Sequence, residues 1–227
     1  MKIAILAAME KEQRLLLPLL ENCESSDVDG LKINIGKIGT HEVCISKCGI
    51  GKVNAAINAY KVIRFFKPDL VINSGVAGGT GNGARIGDLF VADYVAYHDV
   101  WCGPETEIGA AEGMEVFMPA WEPLIAVAHR LFDGQNLRVG LICSGDRFIT
   151  TKEEIDAIKR IFPEAQAVDM ESAAIGQVCT LEKINFNILR IISDTPGEGE
   201  NISQYENFWK DAPLKSFNAL REIILAL

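Results

Sequence analysis

The chain has 227 residues, a length that one α/β domain can hold, and 48% of them are hydrophobic, enough for a sizeable core. Its net charge of -9 and pI of about 4.9 argue against a nucleic-acid or anionic-membrane partner and favour an uncharged or zwitterionic small molecule. No run of about 18 apolar residues occurs, and the N-terminal apolar run is too short for a signal-peptide core, so we expect no membrane span.

The cysteines and histidines favour neither disulfides nor a metal site. The three histidines are too scattered for a zinc cluster, and no C-x-x-C pair occurs. We therefore expect reduced, mostly buried thiols, no metal, no cofactor and a cytoplasmic protein. The six cysteines are Cys23, Cys44, Cys48, Cys102, Cys143 and Cys179.

Short runs rich in Val, Ile and Leu alternate with runs of helical period, which predicts strands and helices in turn. Several strands are unbroken apolar runs, the pattern of strands covered on both faces, whereas residues 31–36 alternate and predict one exposed face. The alternation predicts one domain over residues 1–227, with a mixed, mainly parallel sheet in α/β/α layers. The predicted strands span residues 2–7, 31–36, 42–47, 70–73, 89–96, 139–143, 165–168 and 187–192.

The first two predicted helices have clear ends. A helix that begins near Met9 should kink or stop near Leu17, because Pro18 cannot continue it. The next covers residues 51–67 and ends before Pro68. One apolar face of this helix is predicted to comprise Val53, Ala56, Ile57, Tyr60 and Ile63.

Later helices are predicted from their N-terminal caps. Thr150 and Glu153 predict a capping box for a helix over residues 152–161, and Asp169 predicts a cap for a helix that ends at Leu181. The last helix is predicted over residues 214–227, and two segments rich in Gly, Glu and Pro, residues 102–113 and 196–203, are predicted to be loops beside a site.

Three acidic residues follow predicted strands. Glu12 follows the first strand, Glu171 follows residues 165–168, and Asp194 follows residues 187–192. Ligands of open α/β sheets bind at the carboxyl ends of the strands, so these residues should share one rim. Three carboxyl groups there can supply a base, an acid and a ligand for sugar hydroxyls, which favours cleavage of a glycosidic bond.

The same residues also have ordinary structural explanations. Glu10 and Glu12 suit the first turn of a helix, Asp169 suits an N-cap, and Asp194 suits the start of a turn before Pro196. Taken one motif at a time, the sequence leaves both interpretations open.

Two further motifs could bind a flat, uncharged ligand. Glycines in Ser74–Gly79, continued by Gly81 and Gly83, either let a ligand approach the backbone or only form a tight turn. Their spacing matches neither the P-loop nor the dinucleotide fingerprint. Phe148 and Ile149 follow a predicted strand, where they could hold a base between apolar groups, although Phe148 could equally belong to the core.

Arg190 lies inside an apolar predicted strand, where a charge requires a partner. An acidic residue on the neighbouring rim could be that partner. We expect Glu171 one turn inside its helix, where its carboxylate could accept hydrogen bonds from a vicinal diol. Met170 beside it offers a soft apolar surface for a sugar or base.

Taken together in chain order, these motifs resemble the bacterial 5'-methylthioadenosine/S-adenosylhomocysteine nucleosidases, within the nucleoside phosphorylase/nucleosidase superfamily. The resemblance spans nearly the whole chain and implies a nucleoside phosphorylase-like fold. It is carried by residues 1–12, 48–56, 74–79, 87–88, 97–99, 144–149, 168–171 and 190–194.

The resemblance implies hydrolysis of the bond between adenine and a 5'-thio-substituted ribose. Asp194 would then protonate N7 of adenine, which requires a protonated carboxyl, and Glu12 would deprotonate the attacking water, which requires an ionised one. Glu171 would hold the ribose hydroxyls, and Arg190 would help to place the water and the acids. The implied substrate-binding residues are Met9, Ile50, Val76, Ala77, Gly78, Phe148, Ile149, Val168, Met170, Ser193 and Tyr205.

Two departures and several alternatives remain open. Val76 stands where the family commonly has Ser or Thr, whose hydroxyl helps to bind the nucleophile, and residues 101–118 differ from the best-known enterobacterial pattern. The resemblance implies a homodimer in which that segment reaches the partner's site, with Val100 and Trp101 at the interface. The alternatives are a phosphorylase on the same fold, a non-catalytic nucleoside-binding protein, and preference for 5'-deoxyadenosine or aminodeoxyfutalosine.

Overall fold

The computed structural model describes the backbone of every residue except 81–82, 198 and 212. It describes the side chains of all residues except 81–82, 198 and 210–216. Gly81 of the glycine-rich motif, and residue 198 of the predicted loop 196–203, therefore lie outside the described residues. Within the described part of the chain, no helix is both long and apolar enough to span a membrane.

One sheet of ten strands forms the centre of the molecule. Its order runs β2-β3-β4-β1-β5, and from β5 the sheet closes on itself through β9, β8, β6 and β10, which pairs with β5 again. The strands are β1 (Lys2–Ala7), β2 (Glu21–Val28), β3 (Leu31–Ile38), β4 (His41–Lys47), β5 (Leu70–Gly79), β6 (Leu89–Tyr97), β7 (Met118–Pro119), β8 (Leu137–Ser144), β9 (Ala165–Asp169) and β10 (Asn185–Asp194).

Seven α-helices cover the sheet among the described residues. They are α1 (Glu10–Leu16), α2 (Lys52–Phe66), α3 (Glu122–Phe132), α4 (Lys152–Ile161), α5 (Ser172–Glu182), α6 (Asn201–Asp211) and α7 (Pro213–Ala226), and a 3₁₀ turn, Leu17–Leu19, follows α1. The predicted stop near Leu17 is therefore confirmed, because Pro18 enters the tighter turn.

The helices lie on both faces of the sheet. Alternate residues of β1 point to opposite sides, with Ala4 and Leu6 in a core that α2 and α5 cover, and Ile3 and Ile5 in a core that α1, α3, α6 and α7 cover. Full burial of a Leu or Ile side chain, such as those of Ile3, Ile5 and Leu6, stabilises the fold by about 1.5–3 kcal/mol. The α/β/α fold class predicted from the sequence is confirmed.

The sheet is mixed, as predicted. Parallel pairing extends over nine residue pairs between β5 and β10 and six between β1 and β4. Among the described residues, the antiparallel pairings β2–β3 and β3–β4 are six residue pairs long, and β5–β9, β6–β7 and β6–β10 are only two or three. The parallel strands bring the carboxyl ends of β1, β5 and β10 to one rim.

The glycine-rich motif is part of a strand, so its interpretation as a tight turn was wrong. β5 does not end at Asn73 but continues to Gly79, with Gly75 opposite Arg190 of β10 and Gly78 opposite Val168 of β9. The absence of side chains at the glycines lets neighbouring groups approach this end of the strand closely.

The capping box of α4 lies one residue later than predicted. Thr151, not Thr150, is the N-cap: its hydroxyl accepts a hydrogen bond from the Glu154 N–H at 3.3 Å, and the Glu154 carboxylate accepts one from the Thr151 N–H at 3.0 Å. Glu153 is not the partner, because the helix begins at Lys152 and its third residue is Glu154.

Most of the predicted apolar face of α2 does not point at the core, although one of its residues, Ile63, is buried and another, Ala56, is partly buried against the core. Val53, Ile57 and Tyr60 are 67%, 51% and 46% exposed. The buried side is instead formed by Ala55, Ala59, Val62, Ile63 and Phe66. The helix therefore has a second apolar face, which lies on the surface of the chain.

Four elements, β2, β7, α3 and α6, have no counterpart among the predicted ones, and β7 is a strand of only two residues. β2 is polar and exposed along nearly its whole length, so its own pattern gives no strand signal, and pairing with β3 orders it. Helix α3 is absent from the predicted helices, and α6 begins at Asn201 inside the predicted loop 196–203. The other predicted loop, residues 102–113, does lack helix and strand.

Candidate active site

A cavity opens at the rim where β1, β5, β9 and β10 end. Three of the four residues predicted to be catalytic line it: Glu12, Glu171 and Asp194. Arg190 does not line the cavity but lies behind its wall. All eleven predicted substrate-binding residues line it, namely Met9, Ile50, Val76, Ala77, Gly78, Phe148, Ile149, Val168, Met170, Ser193 and Tyr205, and Ala8, Arg147 and Asp169 complete the wall.

Glu12 is held at the start of α1 by backbone donors. The Met9 N–H donates to Oε2 at 2.8 Å, and the Val76 N–H donates to Oε1 at 3.2 Å. The side chain is buried, and burial raises the pKa of Glu12, while the Arg190 charge and these two N–H groups offset the rise only in part. A carboxylate whose pKa is raised accepts a proton more readily than an exposed one, as a general base must.

Glu171 occupies the position just before α5 and not one turn inside it, so that part of the prediction was wrong. The helix begins at Ser172, whose N–H donates to the Asp169 carboxylate at 3.1 Å. The Gly51 N–H donates to Glu171 Oε1 at 3.0 Å, and Arg190 Nη2 lies 3.8 Å from Oε2. Burial and the Asp169 charge raise the pKa of Glu171 to about 7 despite Arg190.

Asp194 is the last residue of β10 and is almost fully buried. The Ser193 hydroxyl donates to Oδ1 at 2.6 Å, and the Asn201 amide donates to Oδ2 at 2.8 Å. Burial raises the pKa of Asp194 more than these two hydrogen bonds lower it. The shift is in the direction that an acid requires. Sequence reasoning missed Asn201, since its segment was expected to be a loop.

Arg190 finds the acidic partner that its buried position requires. Its Nη2 lies 2.5 Å from Asp169 Oδ2 and donates to the Ser172 hydroxyl at 3.1 Å and to the Asn73 side-chain oxygen. The Asp169 carboxylate also accepts hydrogen bonds from the hydroxyls of Ser172 and Ser144. The predicted N-cap role of Asp169 was wrong, because the N-cap of α5 is Glu171, although the Asp169 carboxylate accepts the Ser172 N–H. The main partner of Asp169 is Arg190, whose charge it neutralises behind the cavity.

Apolar groups form the opposite wall. Phe148 is 45% exposed, which decides against the core interpretation, and its ring meets that of Tyr205 edge to face at 5.4 Å. The Tyr205 hydroxyl lies 3.4 Å from the Met9 sulfur, so α6 contacts the residues between β1 and α1. Such a wall suits a planar, uncharged group.

The described part of the chain offers no cluster of side chains that could bind a metal ion. There, no three His, Cys, Asp or Glu side chains are arranged to hold a metal ion. All six cysteines are free thiols, four of them buried. The carboxylates of the cavity are instead engaged by N–H, hydroxyl, amide and guanidinium donors.

Comparison with known proteins places the chain in a family. A family model described as the phosphorylase superfamily matches residues 2–225. A 5'-methylthioadenosine/S-adenosylhomocysteine nucleosidase of Bacillus thuringiensis (strain Al Hakam) is 36% identical over 228 residues, which is 99% of this chain and 98% of that protein.

Solved nucleosidase structures are similar to this chain over its whole length. The nucleosidase of the same name from Streptococcus pneumoniae, bound to the transition-state inhibitor MT-ImmA, has a TM-score of 0.94 and 33% identity, covering 100% of this chain and 99% of that one. The Neisseria meningitidis nucleosidase with methylthio-immucillin-A has a TM-score of 0.93 and 35% identity, with the same coverage. The chain therefore belongs to the phosphorylase superfamily and, within it, to the 5'-methylthioadenosine/S-adenosylhomocysteine nucleosidases.

Proposed function

We propose that residues 1–227 act as one nucleosidase domain that hydrolyses the N-glycosidic bond of 5'-methylthioadenosine and S-adenosylhomocysteine. The products are adenine and the 5'-thio-substituted ribose, a step of methionine salvage. The observation that carries the proposal is the convergence of Glu12, Glu171 and Asp194 on one cavity with an aromatic wall. No cofactor takes part in the proposed reaction.

Asp194 is the proposed general acid. Its raised pKa favours the protonated form that can donate to N7 of adenine. The Ser193 hydroxyl and the Asn201 amide hold the carboxyl in one orientation. With N7 protonated, adenine leaves as a neutral base and the electron pair of the breaking bond needs no further stabilisation. An acid step of this kind contributes roughly 10²–10⁴-fold to the rate.

Glu12 is the proposed general base. Its two backbone hydrogen bonds fix the carboxylate at the rim, where it can take a proton from the water that attacks the anomeric carbon. Val76 provides its N–H to Glu12 and a half-buried apolar side chain to the wall. The carboxylate itself, and not a hydroxyl at position 76, is therefore the group proposed to orient the water.

Glu171 is the proposed ligand of the ribose hydroxyls. As the bond to adenine breaks, the sugar becomes oxocarbenium-like, and nearby carboxylates stabilise that positive charge more than they stabilise the neutral substrate. The Gly51 N–H holds one oxygen of Glu171, which leaves the other toward Arg190 and the cavity. Arg190, paired with Asp169, is proposed to set the positions of these acids.

A phosphorylase needs cations for its phosphate, and the cavity is poor in them. Of the described residues that line it, Arg147 is the one cation, and its guanidinium pairs with Glu154 at 2.7 Å. A phosphate near Glu12 would meet a carboxylate. A protein that only binds nucleosides would have no use for three buried acids. Water is therefore the proposed nucleophile.

We also propose that the protein is a cytoplasmic homodimer. Besides Val53, Ile57 and Tyr60 on the exposed face of α2, the apolar residues Ile50 and Trp101 are also exposed. Apolar surface of this kind favours burial against a partner. Ile50 also lines the cavity, so the interface would border the site. Light scattering should give about twice 24.8 kDa, and a fully active species of 24.8 kDa would contradict the dimer.

Adenine release measured with and without phosphate tests the proposed reaction. The expected result is cleavage of 5'-methylthioadenosine and S-adenosylhomocysteine at a rate that phosphate does not change, with free sugar as the product. A requirement for phosphate and a sugar phosphate product would replace the hydrolase with a phosphorylase. Parallel assays on 5'-deoxyadenosine and aminodeoxyfutalosine would rank the substrates.

A further inference from the structure

An ion pair outside the cavity joins residues that the proposed mechanism does not use. Lys52 is the first residue of α2, and its ammonium lies 2.8 Å from both carboxylate oxygens of Asp99, which follows β6. Asp99 Oδ2 also accepts a hydrogen bond from the Asp146 N–H at 2.9 Å. The Asp146 carboxylate in turn accepts one from the Lys52 N–H at 2.7 Å. The three residues thus form a closed ring of contacts.

The position of Lys52 is unfavourable without its partner. A cation at the N-terminus of a helix faces the positive end of the helix dipole. Asp99 and Asp146 place two negative charges there, and the Asp146 carboxylate acts as the cap that the preceding Gly51 cannot provide. Although burial raises the pKa of Asp99, Lys52 and the Asp146 N–H lower it overall, so the group is ionised at neutral pH.

The ring connects two walls of the cavity. On one side, Lys52 follows Ile50 and Gly51, of which Ile50 lines the cavity and Gly51 donates to Glu171. On the other side, Asp146 belongs to residues 145–149, here called the base loop, which carry Phe148 and Ile149 into the cavity. The ring therefore fixes the distance between these walls across the mouth of the cavity.

The base loop rests directly on the segment that carries Asp99. A side chain at Gly145 would clash with the His98 ring and approach Asp99 Cγ to 3.0 Å. The His98 N–H donates to the Ser144 carbonyl at 3.0 Å, and the Arg147 N–H closes a turn on the Gly145 carbonyl at 2.8 Å. The start of the loop is therefore packed tightly, and its outer turn is held through Asp146.

We propose that Lys52, Asp99 and Asp146 form a clamp that sets the position of the base loop relative to α2, and so the affinity of the site for adenine. Asp99 and Lys52 are positioning residues, because they act through Asp146 and the loop and do not line the cavity. The inference rests on the proposed function, since it takes adenine to be the group that the base loop contacts.

Adenine binding, measured by calorimetry on the full-length protein, tests the clamp. Lys52→Met keeps the length of the side chain and removes its charge, and Asp99→Asn keeps the shape of its partner. Each should raise the adenine Kd about tenfold and raise the nucleoside KM in parallel, with kcat within about threefold, because base contacts act equally in ground and transition states. Lys52→Arg, which can still pair with Asp99, should restore the wild-type values.

Two comparisons separate positioning from general destabilisation. Lys152 is likewise the first residue of a helix and pairs with an aspartate, Asp156, at 2.6 Å, so Lys152→Met is a matched control that should leave the adenine Kd unchanged. If the clamp acts as a unit, the double variant Lys52→Met/Asp99→Asn should weaken adenine binding about tenfold and not about a hundredfold.

Each remaining result decides the question. An unchanged adenine Kd in Lys52→Met, or an equal change in Lys152→Met, would overturn the clamp and leave the proposed function intact. A wild-type protein that binds adenine but cleaves no nucleoside would overturn the proposed function, and adenine affinity would still decide the clamp. A wild-type protein that binds no adenine would overturn both.

Discussion

Gly75 lies where a single methyl group would disturb two site residues at once. A Cβ at this position would lie 2.5 Å from Arg190 Nη1 and 2.6 Å from Glu12 Oε1. Both groups are buried and held by hydrogen bonds, so neither can move into solvent. We therefore expect Gly75→Ala to displace the proposed base and the arginine behind it.

The size of the effect follows from these distances. Ordinary contact begins at 3.4 Å, so the Glu12 carboxylate must retreat by about 0.8 Å, the difference between 3.4 Å and 2.6 Å. A misplacement of about 1 Å at a reacting group costs up to roughly 100-fold in rate. Such a loss corresponds to about 2.7 kcal/mol in the activation barrier. We predict a fall of this order in kcat, measured as adenine release under saturating substrate.

Gly36→Ala is the matched control for strain. Its Cβ would lie 2.7 Å from the Glu21 carbonyl oxygen, a comparable clash between β3 and the edge strand β2, outside the cavity. Both variants should therefore lower the melting temperature, and only Gly75→Ala should lower the kcat of the folded enzyme. Wild-type kcat in Gly75→Ala, or an equal loss of kcat in Gly36→Ala, would show that displacement of Glu12 and Arg190 is not what lowers kcat.

Two other substitutions test the acids. Asp194→Asn should lower kcat on adenine nucleosides by roughly 10²–10⁴-fold and far less on a nitrophenyl riboside, whose leaving group needs no proton; equal losses would make Asp194 structural. Glu171→Gln should change the pH dependence of stability. Because the folded pKa, about 7, exceeds the ordinary 4.5, the wild type loses stability as pH rises between these values, on the order of 3 kcal/mol in total. The variant, which has no carboxyl group at position 171, should not lose this stability. Melting temperatures of the two proteins that change in parallel between pH 5 and pH 8 would contradict the prediction.

The sequence predicts strands and helices best where a run of buried residues ends at a residue that stops the element, such as proline. The apolar run of β1 has the predicted bounds, and α2 ends where Pro68 requires. β2 gives no signal, because a polar edge strand owes its order to pairing with β3 and not to its own pattern. The apolar residues of α2 have the right spacing, but spacing alone does not state which face meets the core.

The acids at the rim were predictable because strand ends converge in this class of sheet. The contacts that hold these acids in place could not be predicted from the sequence. The Arg190–Asn73 hydrogen bond joins residues 117 positions apart, and Gly51 reaches Glu171 across 120. Nor does the sequence reveal that Asn201, within a segment of loop-like composition, turns its amide to Asp194. The Arg190–Asn73 contact follows from the pairing of β10 with β5, which joins distant parts of the chain.

The proposed reaction depends above all on Glu12 acting as the base at this rim. The most direct test measures kcat and the substrate Kd together for the wild type and Glu12→Gln, with 5'-methylthioadenosine as substrate. The amide keeps the size of the side chain but cannot take a proton, so kcat should fall by roughly 10²–10⁴-fold while the Kd changes little. A Glu12→Gln variant that releases adenine at the wild-type rate would show that Glu12 is not the base.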